Sequence, residues 1–213
     1  MFIKVCGVTR TEDALLAAGL GAHAVGMIFA ASARRIATGE ARDIVRRLPP
    51  EILPVGVFRN ERRERVAELA NTIGLRAVQL HGDETPEDTR WVAERVPIVI
   101  RAFAATDPNL LRAADYGATR LLIDSTTPGS GKPFDWAVLE GAPTGGDYIL
   151  AGGLNPSNVA DAIATVRPWG VDVATGVETA PGVKDPARLR QFIAAVREAA
   201  PSDVDHWEET TWH

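Results

Sequence analysis

The stretch Phe2-Ile3-Lys4-Val5-Cys6 is a short, mostly apolar run of the kind that forms a buried strand, and a helical pattern follows it. Thr9 and Glu12 have the spacing of a capping box in front of Ala14-Leu15-Leu16, which predicts that the first helix begins there. Together these residues form one strand–helix unit. The same succession recurs along the chain, so the fold depends on how many such units there are.

Eight strand-like runs occur at a spacing of about two dozen residues, with helical patterns such as Glu64–Ile73 and Asp185–Ala199 between them. The runs are Phe2–Cys6, Ala24–Phe29, Leu53–Phe58, Arg76–His81, Ile98–Ala102, Thr119–Asp124, Tyr148–Ala151 and Gly170–Ala174. Strands that alternate with helices imply parallel pairing. The pattern predicts an α/β protein with a single eight-fold (β/α)8 TIM barrel over residues 1–200; an open, doubly wound sheet is the alternative.

The chain has 213 residues, 46% of them hydrophobic, and its formal net charge is −5. This charge argues against nucleic acid as a partner. No apolar run approaches the roughly 20 residues of a membrane-spanning helix, and residues 1–7 do not resemble a signal peptide. The single cysteine excludes an intrachain disulfide. We therefore expect a cytoplasmic protein with no nucleic-acid or membrane partner, and we favour a monomer over a homodimer.

Lysine is rare: Lys4, Lys132 and Lys184 stand among 23 basic residues, and the others are arginine. This bias suggests that the three positions require an ammonium group. Residues 201–213 follow the last helical pattern without periodicity, so we expect a peripheral C-terminal tail. It contains His206 and His213, but no further ligand lies at a suitable spacing, and we predict no metal site.

Alternation of side chains along the predicted strands places an unusually polar set inside the barrel. The inward set contains Lys4, Cys6, Gln79, His81, Asp124 and Asp172. Buried charges are costly unless they are paired, so they indicate a functional site or a paired network. Because the first and last strands become neighbours when a barrel closes, we expect Lys4 and Asp172 to pair.

Three members of this set, Cys6, His81 and Asp124, end strands at the face where barrel enzymes carry their chemistry. The alternative for a lone cysteine is a small buried apolar side chain, and for a lone histidine or aspartate a cap of the next turn. A thiol and a carboxyl group that converge on one mouth favour the functional interpretation. We therefore expect Cys6 and Asp124 to belong to a functional site at this mouth, and His81 to contribute to substrate binding there.

Glycines at the ends of the seventh and eighth strands predict a phosphate site. Gly152-Gly153 precedes a helix start near Asn155-Pro156, and Gly176 follows the eighth strand. Loops after these two strands commonly bind phosphate through backbone N–H groups and a helix N-terminus. A third loop, 128–132, is too short for a Walker motif, and we interpret it as a mobile loop of the active site.

Seven motifs resemble the phosphoribosylanthranilate isomerase family of tryptophan biosynthesis, and the likeness runs from Lys4 to about Phe192. They are Lys4–Thr9, Val55–Phe58, Val78–Gly82, Leu122–Ser125, Gly131–Trp136, Ala151–Pro156 and Gly182–Asp185. The resemblance implies a single barrel that uses no cofactor and acts on a small phosphosugar. The family opens the ribose ring of phosphoribosylanthranilate and converts an aldose amine into a ketose amine, an Amadori rearrangement.

The resemblance also implies roles for individual residues. Cys6 would be the general base and Asp124 the general acid. Arg34 matches an arginine near the anthranilate end of the substrate, and Gly153, Asn155 and Gly176 match the phosphate-binding loops; Gly152 adjoins them. The chain departs from the family at Ala174 and Thr175, where two serines are common.

Two other functions stay open at this point. The aminoaldose–ketose isomerase of histidine biosynthesis performs the same rearrangement on a similar barrel, but carries aspartate where this chain has Cys6. A non-catalytic phosphate-binding barrel is the second alternative, and the presence of both Cys6 and Asp124 argues against it.

Acid–base catalysis requires a proton for the ribose ring oxygen and removal of a proton from the adjacent carbon. Asp124 follows Leu121-Leu122-Ile123, where desolvation favours the protonated carboxyl group. Cys6 lies two residues beyond Lys4 on the same strand face and precedes a helix start. We therefore expect the pKa of the Cys6 thiol to be lowered.

Overall fold

The structure, a computed structural model, describes residues 1–125 and 148–200. Eight parallel strands pair in chain order and close into a barrel, because the first strand pairs with both the second and the eighth. The strands are β1 (Phe2–Val5), β2 (Ala24–Ile28), β3 (Leu53–Phe58), β4 (Ala77–Leu80), β5 (Ile98–Ala104), β6 (Arg120–Asp124), β7 (Tyr148–Leu150) and β8 (Gly170–Val173). The predicted TIM barrel is confirmed, and the open doubly wound sheet is wrong.

Helices cover the outside of this barrel. They are α1 (Thr11–Leu20), α2 (Thr38–Arg47), α3 (Arg63–Ile73), α4 (Pro86–Ala93), a 3-10 helix (Pro108–Tyr116), α5 (Val159–Val166) and α6 (Pro186–Ala199). None of these helices is long and apolar enough to cross a membrane. The predicted loop at 128–132 and the predicted tail at 201–213, with His206 and His213, lie outside the described residues.

The two faces of the strands carry different side chains, as the alternation predicts. Outward residues such as Val25 and Val78 pack under the helices in one large apolar cluster. Inward residues such as Phe2, Leu53 and Ile149 form a second, smaller cluster that fills the barrel. Of the polar inward residues, Lys4, Cys6, Gln79, Asp124 and Asp172 are also buried, and His81 is partly exposed. They lie towards the carboxyl ends of their strands, so the polar layer faces that end of the barrel.

The capping box predicted at Thr9 is wrong. Helix α1 begins at Thr11, its N-cap residue is Arg10, and no side chain caps it. The Thr9 hydroxyl instead donates a hydrogen bond to the carbonyl oxygen of Gly182, 2.7 Å away. The Thr9 hydroxyl therefore makes a tertiary hydrogen bond and does not cap the helix as the local sequence pattern predicted.

That contact belongs to a hairpin that the strand pattern did not predict. After β8, a single 3-10 turn (Thr175–Val177) leads into β9 (Glu178–Ala180), which pairs antiparallel with β10 (Val183–Lys184). The backbone N–H of Lys184 donates to the Asp13 carboxylate of α1 at 3.0 Å. The hairpin is thereby fixed beside the carboxyl end of β1.

Candidate active site

A cavity of about 160 Å³ opens at the carboxyl ends of the strands. Its walls include Cys6, Arg34, Gln79, His81, Asp124, Gly152, Gly153, Asp172, Thr175 and Gly176. The cavity therefore brings together all the site residues predicted from the sequence except Asn155. Residues in or just after β1, β4 and β6 and in the loops after β2, β7 and β8 meet there, although they are far apart in the chain.

Beneath Cys6 lies the predicted ion pair between the first and last strands. The Lys4 ammonium Nζ is 3.0 Å from Asp172 Oδ1, and Lys4 is fully buried. Burial alone would lower the pKa of Lys4, but the neighbouring Asp172 and Cys6 together raise it. A Cβ atom at Gly26 would lie 2.9 Å from Cys6 Sγ and 3.1 Å from Lys4 Nζ. The missing side chain at Gly26 thus makes room for both groups.

The expected lowering of the Cys6 pKa is wrong. Burial raises the pKa of the Cys6 thiol above its usual value, although Lys4 and Lys184 act in the opposite direction. Asp172 adds to the increase, because its negative charge disfavours a thiolate nearby. The sequence placed Lys4 near the thiol correctly, but the energetic cost of a charge in this enclosed site is larger than the stabilisation by the nearby cations.

Asp124 lies on β6 beside His81. The backbone N–H of Ser125 donates to Asp124 Oδ1 at 2.7 Å, while Oδ2 is 3.3 Å from His81 Nε2. The second ring nitrogen, Nδ1, is 2.7 Å from Gln79 Nε2. Among the described residues, His81 Nε2 is close to Asp124 but makes no hydrogen bond. Gln79 and His81 thus orient a polar edge towards the carboxyl group that we assign to acid catalysis.

Arg34 is held in the mouth by a buried carboxylate. Its Nε and Nη2 donate to the Glu178 carboxylate at 2.8–3.0 Å, and Nη2 also donates to Thr175 Oγ1 at 3.1 Å. Lys184 Nζ binds the same carboxylate at 2.8 Å. Burial opposes ionisation of Glu178, but Arg34 and Lys184 together lower its pKa. Two cations therefore share one carboxylate at the edge of the cavity.

The loop after β7 turns at its two glycines. Gly152 and Gly153 have φ angles of +91° and +67°, in the left-handed region where side chains are strained. Their backbone N–H groups donate to no acceptor among residues 1–125 and 148–200. Free N–H groups beside an open cavity are suited to binding an anion.

Asn155 does not line the cavity. Its side-chain oxygen accepts from the backbone N–H and the hydroxyl of Ser157, and its own backbone N–H donates to Asn158 at 2.8 Å. Helix α5 begins only at Val159, after the turn that Asn155 starts. The contacts of Asn155 therefore shape the loop next to the glycines.

Sequence reasoning missed the catalytic surroundings supplied by the hairpin, namely Glu178 and Lys184. One signal was available, since Lys184 is among the three lysines of an arginine-rich chain. Among the described residues, no group of three or more His, Cys, Asp and Glu side chains is arranged to hold a metal ion.

Comparison with known proteins identifies the family. Residues 3–195 match the family described as N-(5'-phosphoribosyl)anthranilate (PRA) isomerase. The N-(5'-phosphoribosyl)anthranilate isomerase of Desulforudis audaxviator is 49% identical over 204 residues, which cover 92% of this chain and 98% of that protein.

Solved structures of relatives have the same fold. Phosphoribosyl anthranilate isomerase from Thermus thermophilus is 42% identical with a TM-score of 0.87, covering 93% of this chain and 99% of that one. An isomerase in complex with reduced 1-(o-carboxyphenylamino)-1-deoxyribulose 5-phosphate is 40% identical, with a TM-score of 0.83 and the same coverage. Monomers made from the dimeric Thermotoga maritima enzyme are 39% identical, with a TM-score of 0.82 and the same coverage. This chain therefore belongs to the N-(5'-phosphoribosyl)anthranilate isomerase family.

Proposed function

We propose that this chain converts N-(5'-phosphoribosyl)anthranilate into 1-(o-carboxyphenylamino)-1-deoxyribulose 5-phosphate in tryptophan biosynthesis, with Asp124 as general acid and Cys6 as general base. The observation that carries the assignment is that the Cys6 thiol and the Asp124 carboxyl group line one cavity together with Arg34 and the Gly152-Gly153 loop. A related isomerase binds the reduced form of this product.

The reaction needs two proton transfers. Protonated Asp124 gives its proton to the ribose ring oxygen while the bond from that oxygen to C1' breaks, and the anthranilate nitrogen lone pair forms the C=N bond. The Cys6 thiolate then removes the proton from C2', which leaves an enolamine that tautomerises to the ketone. Because Ser125 N–H occupies Asp124 Oδ1, we assign the transferred proton to Oδ2, the oxygen next to His81.

The two ends of the substrate are both anionic, and each has a counterpart in the cavity wall. We assign the phosphate to the N–H groups of Gly152 and Gly153 together with the loop at Gly176. We assign the anthranilate carboxylate to Arg34, whose guanidinium Glu178 orients. His81 lines the reacting centre between them, and Asn155 supports the phosphate loop.

Family membership decides against the isomerase of histidine biosynthesis, because the match covers residues 3–195. Retention of Cys6 and Asp124 in the cavity supports an enzyme over a non-catalytic phosphate-binding barrel. The prediction of a monomer stays untested, and the dimeric Thermotoga maritima enzyme shows that dimers occur in the family. A biosynthetic role agrees with the cytoplasmic location that we propose.

The test is the loss of anthranilate fluorescence when purified protein is added to phosphoribosylanthranilate. We expect turnover without added metal or nucleotide, and also with a chelator present. Cys6→Ala and Asp124→Asn should each lower kcat by about 10²–10⁴-fold, because each removes one proton-transfer group. The exposed Leu111→Ala variant is the control and should keep full activity.

Three outcomes would contradict the proposal. Abolition by chelator would contradict cofactor-free catalysis. Near-normal turnover in a folded Cys6→Ala or Asp124→Asn variant would remove that residue from the mechanism. We also expect the two losses to be less than additive in the double variant, because residues that act as a unit are not independent.

A further inference from the structure

Lys184 is a fully buried cation to which the proton transfers assign no role. Its side chain reaches from the hairpin towards the carboxyl end of β1. There the ammonium donates to the Cys6 carbonyl oxygen at 2.5 Å, to Glu178 Oε1 at 2.8 Å and to the Ala174 carbonyl oxygen at 3.4 Å. An ammonium group has three donors, and three oxygens converge on this one.

These three acceptors belong to parts of the site that must keep a fixed geometry. The Cys6 carbonyl is the backbone of the general base. The Ala174 carbonyl ends β8 and begins the loop at Thr175 and Gly176, while Glu178 holds Arg34. One ammonium therefore connects the base, the loop after β8 and the arginine assigned to the substrate carboxylate.

A lysine at this position is a specific choice in a chain that otherwise uses arginine. The site is fully enclosed, and a compact ammonium fits three converging oxygens that a planar, larger guanidinium does not match. Burial lowers the pKa of Lys184, against the opposing effect of Glu178. Replacement by arginine should therefore disturb the site even though the formal charge is kept.

The charges around Cys6 show what Lys184 adds. The titratable and charged groups around the thiol are Lys4 of β1, Asp172 of β8, Lys184 of the hairpin, Arg34 after β2, and His81 and Asp124 across the cavity. Glu178 binds two of these groups, Lys184 and Arg34. Lys4 is paired with Asp172, so their charges offset each other. Lys184 and Arg34 share the single carboxylate of Glu178, which leaves an excess of positive charge on this side.

We propose that Lys184 is a positioning residue for the reaction: it fixes Cys6 and Arg34 relative to each other and supplies positive charge that stabilises the Cys6 thiolate. The inference rests on the proposed function for the roles of Cys6 and Arg34. Its electrostatic part can be measured without substrate.

The experiment uses the fact that Cys6 is the only cysteine in the chain. The rate of alkylation by iodoacetamide, measured against pH, reports the titration of this one thiol. In Lys184→Met we expect the midpoint to move to higher pH by about one unit or more, because an opposite charge within a few ångströms has been removed. In Glu178→Gln we expect the midpoint to move to lower pH, because a negative charge has been removed while Lys184 remains.

Opposite shifts distinguish an electrostatic role from a structural one, since general loosening of the hairpin would move both variants in the same direction. Arg46→Met is the matched control: it removes one positive charge from the exposed surface of α2 and should leave the midpoint unchanged. In the isomerase assay, both hairpin variants should raise KM because Arg34 loses its orientation. Lys184→Arg should not restore normal kcat.

An unchanged midpoint in folded Lys184→Met would overturn the proposal, and so would a shift of the same sign in Glu178→Gln. If Lys184→Met does not fold, the Glu178→Gln variant still tests the proposal. An unchanged or raised alkylation midpoint in that variant would contradict the proposed charge balance. The alkylation midpoints could shift as expected while the protein shows no isomerase activity. That result would contradict the proposed function but would support the electrostatic role of Lys184.

Discussion

At the scale of single residues, Cys6 experiences two opposing influences. The enclosed site that excludes water from the reaction also raises the pKa of the thiol, because a thiolate is poorly solvated there. The cations Lys4 and Lys184 reduce this penalty without removing it. A base of this kind is a stronger proton acceptor once ionised, but a smaller fraction of it is ionised at neutral pH.

This balance predicts the pH dependence of the Cys6 thiol. Since its pKa is raised, the rate of alkylation of Cys6 should increase with pH through neutrality and level off only on the alkaline side. Measurement of the iodoacetamide reaction of the unsubstituted protein across buffered pH tests this expectation. An alkylation rate that is constant from about pH 6 upwards would contradict a raised thiol pKa.

The residues of the site differ in how far the sequence can predict them. The positions of Cys6, His81 and Asp124 could be predicted, because strand alternation and the direction of parallel strands fix where their side chains point. The role of Glu178 could not be predicted, because it depends on a hairpin whose contacts join residues 34, 178 and 184. The sign of the Cys6 pKa shift also depends on burial and on Asp172, which lies 166 positions along the chain from Cys6.

At the scale of elements, the loop after β7 shows a local prediction that held in outline. Two adjacent glycines with positive φ form the turn, and Asn155 starts the short turn before α5. The sequence predicted a helix start near Asn155-Pro156, with Pro156 as the first helical residue, whereas α5 begins at Val159. The Asn-Pro pair is a good indication of a turn start, but it does not show how many residues the turn takes before the helix proper.

This loop carries the third prediction. Gly153→Val places a branched side chain at a left-handed φ beside the phosphate position, so we expect KM to rise severalfold or more while kcat changes less. The backbone strain itself should cost about 1–2 kcal/mol of stability. Gly74→Val is the matched control, because Gly74 has a φ of +85° at the end of α3 and is absent from the cavity wall. Equal KM values in the two variants would refute the placement of the phosphate.

At the scale of the whole molecule, the barrel depends on the pairing of its first and last strands. Residues 2 to 5 of β1 lie in register with residues 170 to 173 of β8, and Lys4 is directly opposite Asp172. The count of eight strand–helix units predicted this closure, because only a closed sheet makes these strands neighbours. The Lys4–Asp172 ion pair spans the seam, which is the line where β1 pairs with β8, and the sequence pattern could predict it from the topology. The hairpin beyond β8 could not be predicted in this way.

The seam provides the last prediction, which concerns stability. Lys4→Met removes one partner of a buried ion pair and leaves the Asp172 carboxylate uncompensated, so the free energy of unfolding should fall by about 3–5 kcal/mol. Lys4→Met combined with Asp172→Leu removes both charges and should recover most of that loss, because well-packed apolar side chains can replace a buried pair. Urea unfolding followed by circular dichroism measures both effects.

The matched control for this prediction is a surface pair of similar geometry. Arg65 and Glu68 are 2.8 Å apart on α3, and both side chains are well exposed. Arg65→Met should cost less than about 1 kcal/mol, since water screens the pair. If Lys4→Met were no more destabilising than Arg65→Met, the pair across the seam would not stabilise barrel closure. If the double variant were no more stable than Lys4→Met alone, the uncompensated Asp172 charge would not be the source of the loss.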